Sequence, residues 1–187
     1  WLQAPFEAGC AIVRDGKRHF ETFNLHPAYL ELQPRGVAAG EFLADYGFEL
    51  SRGFKALKIW MSLKEHGVET FGRLIDQHIA LGAYLAAKVD AEPKLERIAP
   101  APINIVCFCY RPADGDGDGD EARLKALNTE IMLRIQESGI AAHTDTTVRG
   151  RHALRAAINN HRTTEADLDI LIDAVLKTGE TLEREGF

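Results

Sequence analysis

Apolar positions follow several different rhythms along this chain, and each rhythm predicts a different kind of element. Ala8-Gly9-Cys10-Ala11-Ile12-Val13-Arg14-Asp15 begins with a short apolar run and is closed by Asp15-Gly16, which predicts a buried strand ending in a turn. From about Thr22 to Leu50 no period holds. Pro27, Pro34, Gly36, Gly40 and Gly47 interrupt scattered aromatics there. An irregular segment of that length inside a compact domain is most often a lid or a binding loop.

Order returns at Ser51, which is well placed to cap a helix carrying Phe54, Leu57, Trp60 and Met61 at helical spacing. His66-Gly67 supplies its stop. A second helix is expected from about Val68 to Val89, with Phe71, Leu74, Ile75, His78, Leu81 and Leu85 on one face. Arg97 to Tyr110 is apolar and partly alternating. Pro100 and Pro102 confine regular pairing there mainly to Ile103–Tyr110. A helix is expected from Glu121 to Glu137, then two strands around Arg149-Gly150. Thr164-Glu165-Ala166-Asp167 has the form of a capping box, and behind it Leu168, Leu171, Ile172 and Val175 line one face of a last helix. Strand, helix, hairpin and helix make a small α+β domain, and the change of rhythm places its boundary near Glu92.

Charge narrows the possible partners. A net charge of −6 argues against nucleic acid, which needs a basic face. No apolar run reaches the roughly 18–20 residues that span a bilayer, and no secretory signal opens the chain, so a cytoplasmic protein is expected. Trp1 stands where a start methionine would, consistent with a trimmed chain or a piece of a longer one. Three cysteines, Cys10, Cys107 and Cys109, are expected to be buried and reduced, the last two on one side of a strand.

Metal binding finds little support. The acidic stretch Asp114 to Glu121 resembles a calcium loop, but counting from Asp114 the twelfth position is Lys125, a cation where the site needs a carboxylate. Counting from Asp116 puts Glu121 where the turn glycine belongs. A solvated loop is the expectation. The seven histidines form no ligand set in the sequence.

Four segments in order carry a family resemblance. They are Trp1-Leu2 with Glu7-Ala8-Gly9-Cys10-Ala11, then Asn24-Leu25-His26-Pro27-Ala28-Tyr29-Leu30, then Leu50-Ser51-Arg52-Gly53-Phe54-Lys55-Ala56-Leu57-Lys58-Ile59-Trp60, and finally Leu154-Arg155-Ala156-Ala157-Ile158-Asn159-Asn160. Together they resemble the group II pyridoxal-phosphate-dependent amino-acid decarboxylases, the group of aromatic amino-acid, histidine and glutamate decarboxylases. The resemblance implies an α/β fold of the aspartate aminotransferase type. Residues 1–91 would be the end of the large cofactor domain, with its active-site loop at about 22–50, and residues 92–187 the small C-terminal α+β domain. It also implies pyridoxal 5'-phosphate as cofactor, a small amino-acid substrate, and a homodimer with interfacial active sites.

In that family the cofactor lysine immediately precedes the tryptophan that Trp1 resembles, which places Trp1 beside the cofactor and the lysine outside this sequence. Lys55, Lys58 and Lys64 alternate with apolar helix positions and look like solvated charges rather than substitutes. The tyrosine matching Tyr29 sits on a mobile loop and returns a proton to the carbon that has lost CO₂. A phenol ionises near roughly pH 10, so it can serve as an acid at neutral pH. The competing reading of Tyr29 is a ring packed under a loop. His26, three residues earlier, would share that loop. Relatives with phenylalanine at the Tyr29 position form aldehydes instead of amines.

Ser51 has two compatible readings, helix cap and contact with cofactor phosphate or substrate, since a helix start gathers N–H donors. Arg52 would support the second. Arg155 lies in a mostly apolar strand-like run, where a charge needs a partner. It is either half of a structural ion pair or, like the matching arginine of glutamate decarboxylases, a substrate carboxylate ligand. The functional expectation is decarboxylation of an L-amino acid to amine and CO₂. An aldehyde-forming relative and a non-catalytic α+β binding module are the alternatives.

Overall fold

The computed structural model describes residues 7–24, 29, 33–37, 39–112 and 121–187. They fall into two compact units, residues 7–67 and residues 68–187.

The larger unit is an antiparallel sheet with helices packed on it. Its strands are β1 (Leu95–Arg97), β2 (Ile105–Tyr110), β3 (Thr144–Val148) and β4 (Arg151–Ala157), in the order β1-β2-β4-β3. β4 pairs with both β2 and β3, Cys107 lying opposite Arg155 and Arg155 opposite Thr144. Arg149 (φ 51°) and Gly150 (φ 84°) turn the β3–β4 hairpin with two successive positive φ angles, the geometry that matches strand twist. Val106, Phe108 and Tyr110 of β2 and Leu154 and Ala156 of β4 join the core. The alternating positions Cys107 and Arg155 therefore lie on the other sheet face.

Three of the chain's helices complete this unit: α3 (Val68–Ala91), α4 (Glu121–Glu137) and α5 (Glu165–Glu185). Leu81, Leu85 and Val89 of α3, Leu127, Ile131 and Ile135 of α4, and Leu168, Leu171, Ile172 and Val175 of α5 are buried in one cluster. Thr164 caps α5 as its sequence suggests. Its N–H and its hydroxyl each donate to the Asp167 carboxylate at 2.8 Å, which holds that carboxyl below its ordinary value. The sequence rhythm divides the chain near Glu92, whereas this compact unit starts at Val68, because α3 buries its apolar face in the same core as the sheet.

The smaller unit holds α1 (Gly16–Phe23), a 3₁₀ turn (Leu43–Tyr46) and α2 (Lys55–His66). The strand expected over Ala8–Asp15 is not present. Residues 7–13 have no regular structure, and Ile12 is 94% exposed. A strand needs a partner, and the described part of residues 7–67 contains none. Asp15 does not close a strand either. It caps α1, its carboxylate accepting from the Arg18 N–H at 3.1 Å. Rings join α1 to the 3₁₀ turn: His19 lies 5.5 Å and Phe20 5.7 Å from Tyr46, centroid to centroid. Beyond the turn, Phe23 meets Phe48 edge-on at 5.0 Å.

Ser51 does not cap α2. The helix begins at Lys55, with Phe54 in the cap position and no side-chain cap bond. Gly53, a poor helix former, separates Ser51 from the first turn, and the Lys55 N–H bonds back to the Gly53 carbonyl. The three cysteines are free, but only Cys109 is buried. Cys107 is half-buried and Cys10 is exposed in the irregular opening segment.

Candidate cofactor and substrate site

Ser51 lines a cleft of about 1110 Å³ in the smaller unit. Phe23 at the end of α1, the 3₁₀ turn, and Phe48, Leu50 and Arg52 form other parts of its wall. Asp45 is buried in that wall, its N–H bonded to the Phe42 carbonyl at 3.0 Å. The Arg52 guanidinium crosses the segment, Nη2 donating to the Leu43 carbonyl at 2.9 Å and, at a long 3.5 Å, to the Glu49 carbonyl.

The donor set around Ser51 suits a phosphate. Ser51 is exposed, and the twelve-residue α2 starts shortly after it with no side-chain cap and no acidic residue in its first turn. Lys55 opens that turn and reaches Glu7 at 3.3 Å.

Tyr29 is 78% exposed. Arg155 is half-buried on the sheet face away from the helices. Its Nη1 reaches the Thr144 hydroxyl at 3.5 Å, and among the described residues no carboxylate pairs with it. The structural ion pair considered for it is therefore not seen there, and its planar fork suits an incoming carboxylate. Opposite Arg155, burial pushes the Cys107 thiol up while the guanidinium pulls it down. Trp1, His26 and the acidic loop Asp114–Asp120 lie outside the described residues. Ser51 and Tyr29 belong to the smaller unit and Arg155 to the larger.

Sequence reasoning did not single out Asp45 and named Gly47 only as an interruption of the irregular segment. Nothing in their spacing signals a cleft wall, because Arg52 binds main-chain carbonyls that any residue presents. The ionic cluster around Glu96 also escaped notice. Arg151 binds its two carboxylate oxygens at 2.7 Å each, and Arg111 pairs with it as well. Together they hold the Glu96 carboxyl below its ordinary value, Arg151 contributing most. Among the described residues no helix is long and apolar enough to cross a membrane.

Residues 1–111 match the family described as the pyridoxal-dependent decarboxylase conserved domain. The chain is 30% identical to an aromatic-L-amino-acid decarboxylase of Bacillus atrophaeus over 173 residues, 92% of this chain and 35% of that protein. It is 32% identical to a histidine decarboxylase of Drosophila melanogaster over 168 residues, 90% of this chain and 18% of that one. Among solved structures, the Oryza sativa TDC with PLP and tryptamine matches with a TM-score of 0.79 at 26% identity, covering 91% of this chain and 35% of that one. The chain thus spans about a third or less of the length of these relatives.

Proposed function

The chain belongs to the pyridoxal-dependent decarboxylase family, and we propose that the whole protein converts an L-amino acid to its amine and CO₂ using pyridoxal 5'-phosphate. The observation that carries this reading is the family match over residues 1–111, which includes both Tyr29 and Ser51.

When bound, the cofactor supplies an electron sink for the carbon that loses CO₂. The chain's own residues do the rest. The Ser51 hydroxyl and the uncapped start of α2 would hold the phosphate, and Ser51, in the cleft wall, would also border the substrate. Trp1 would help to hold the cofactor. Arg155 receives the substrate carboxylate on its planar fork, orienting the amino acid for reaction. Tyr29 then delivers the phenolic proton from Oη to the substrate carbon, and solvent restores that proton before the next turnover. Two copies of the protein form the sites between them, Tyr29 reaching the site of its neighbour.

The test is carboxyl-labelled substrate given to the complete, cofactor-loaded protein. Aromatic amino acids, histidine and glutamate are offered in turn. Labelled CO₂ with an equal amount of amine is expected from at least one. CO₂ accompanied by aldehyde and peroxide assigns the aldehyde-forming chemistry instead. No CO₂ from any of them contradicts the proposal.

A further inference from the structure

Arg52 is exposed, yet its guanidinium is occupied by the protein's own backbone. Nη2 donates to the Leu43 carbonyl at 2.9 Å and reaches the Glu49 carbonyl at 3.5 Å. These acceptors lie toward opposite ends of the segment from the 3₁₀ turn to Ser51, so one side chain ties the two ends together. A charged donor strengthens such bonds relative to neutral ones.

Gly47 completes the arrangement. A Cβ there would lie 2.9 Å from Arg52 Nη2 and 3.5 Å from Nη1. The Gly47 backbone is extended, with φ of −177°, a conformation open to any residue. Glycine is needed here for space: it lets the guanidinium lie against the main chain. Leu43, Gly47, Ser51 and Arg52 all line the same cleft.

We propose that Arg52 is a positioning residue, a clamp that fixes the cleft wall from Leu43 to Glu49 and so sets where Ser51 meets its ligand. This rests on the reading that Ser51 faces cofactor or substrate. Lysine does not replace Arg52, because its compact ammonium on a flexible stem has no planar group to lay flat against the main chain at Gly47.

The test is made on the complete enzyme loaded with pyridoxal 5'-phosphate, comparing Arg52→Ala, Arg52→Lys and Gly47→Ala. Gly47→Ala keeps the arginine but pushes its guanidinium aside, so it checks the clamp should Arg52→Ala fail to fold. Two quantities are read: hydrogen exchange of the amides of residues 43–50, and the separate KM and kcat for decarboxylation. In all three variants exchange over residues 43–50 should quicken by about tenfold or more, with residues 68–187 and Tm unchanged. KM for the amino acid should rise about tenfold with kcat nearly constant. Unchanged exchange over residues 43–50 overturns the clamp, whatever the activity does. Faster exchange with an unchanged KM overturns the positioning role, as does full rescue by Arg52→Lys. A parent enzyme that releases no CO₂ defeats the functional reading instead, and the exchange data still decide whether the clamp exists.

Discussion

Gly179 on α5 faces the ring of Tyr110 on β2 so closely that a Cβ added to it would meet ring carbons at 2.5–2.7 Å. The ring has no room to retreat. Tyr110 is fully buried, its hydroxyl donates to Glu183 Oε1 at 2.7 Å, and it accepts from Lys94 Nζ at 3.3 Å. Burial first, and then the bond to Glu183, push this phenol up to about 12. Gly179→Ala should therefore force α5 away from the sheet and cost about 1–3 kcal/mol of stability. Chemical denaturation monitored by circular dichroism checks this, and an unchanged midpoint would mean that the helix and sheet pack less tightly than described.

Asn128 on α4 serves the same strand end in another way. Its Oδ1 accepts from the Tyr110 N–H at 2.7 Å, and its Nδ2 donates to the Tyr110 carbonyl at 3.0 Å. The side chain stands in for a neighbouring strand where the β2–β4 pairing has ended. Asn128→Leu would leave both main-chain groups buried and unpaired, at about 1–3 kcal/mol each. The expected loss exceeds that of Leu127→Ile, a nearly volume-conserving change at the adjacent buried position.

His143 and His152 are both buried, and burial holds both below the ordinary histidine value. Asp145, 3.9 Å from His152, opposes that shift, while Lys125 adds to it. With folded values depressed, the unfolded chain binds more protons just below its own value of about 6.5. Their contribution to stability is thus complete above about pH 6.5 and is lost as pH falls from there through the lower folded values. Tm should fall between about pH 7.5 and pH 5, and the His143→Gln variant should show a shallower decline. An equally steep decline in that variant would remove His143 from the account.

Arg155 is predicted to act through binding. Arg155→Ala should raise KM for the amino acid by roughly tenfold to a hundredfold, as expected for a lost charge-assisted contact. Arg155→Lys should recover only part of this, since lysine lacks the fork. A variant that melts early but keeps its KM would assign the residue to the sheet instead.

Much of the larger unit was legible because its signals are local. The Arg149-Gly150 turn, the Thr164–Asp167 capping box and the apolar stripes of α3, α4 and α5 all depend on residues close in sequence. The opening apolar run misled because alternation and length suit a strand but cannot supply a partner for it. Ser51 has the chemistry of a cap, yet Gly53 interrupts the turn and α2 starts at Lys55. Asn128 and Arg52 were not recognisable as braces, since each holds main-chain atoms and leaves no pattern of side-chain types. Of the candidate site, the motifs gave the residues, and the structure added the cleft around Ser51 and an Arg155 that, among the described residues, pairs with no carboxylate.

We propose that this chain carries the proton-returning part of a decarboxylase site, and that proposal turns on Tyr29. The measurement is product analysis of Tyr29→Phe in the complete enzyme, counting amine, aldehyde and CO₂ from the same substrate. Amine formation should fall by about a hundredfold or more while CO₂ is still released and aldehyde takes the place of amine, dissolved O₂ being reduced to peroxide and the nitrogen leaving as ammonia. Amine formed at the parent rate would contradict the account.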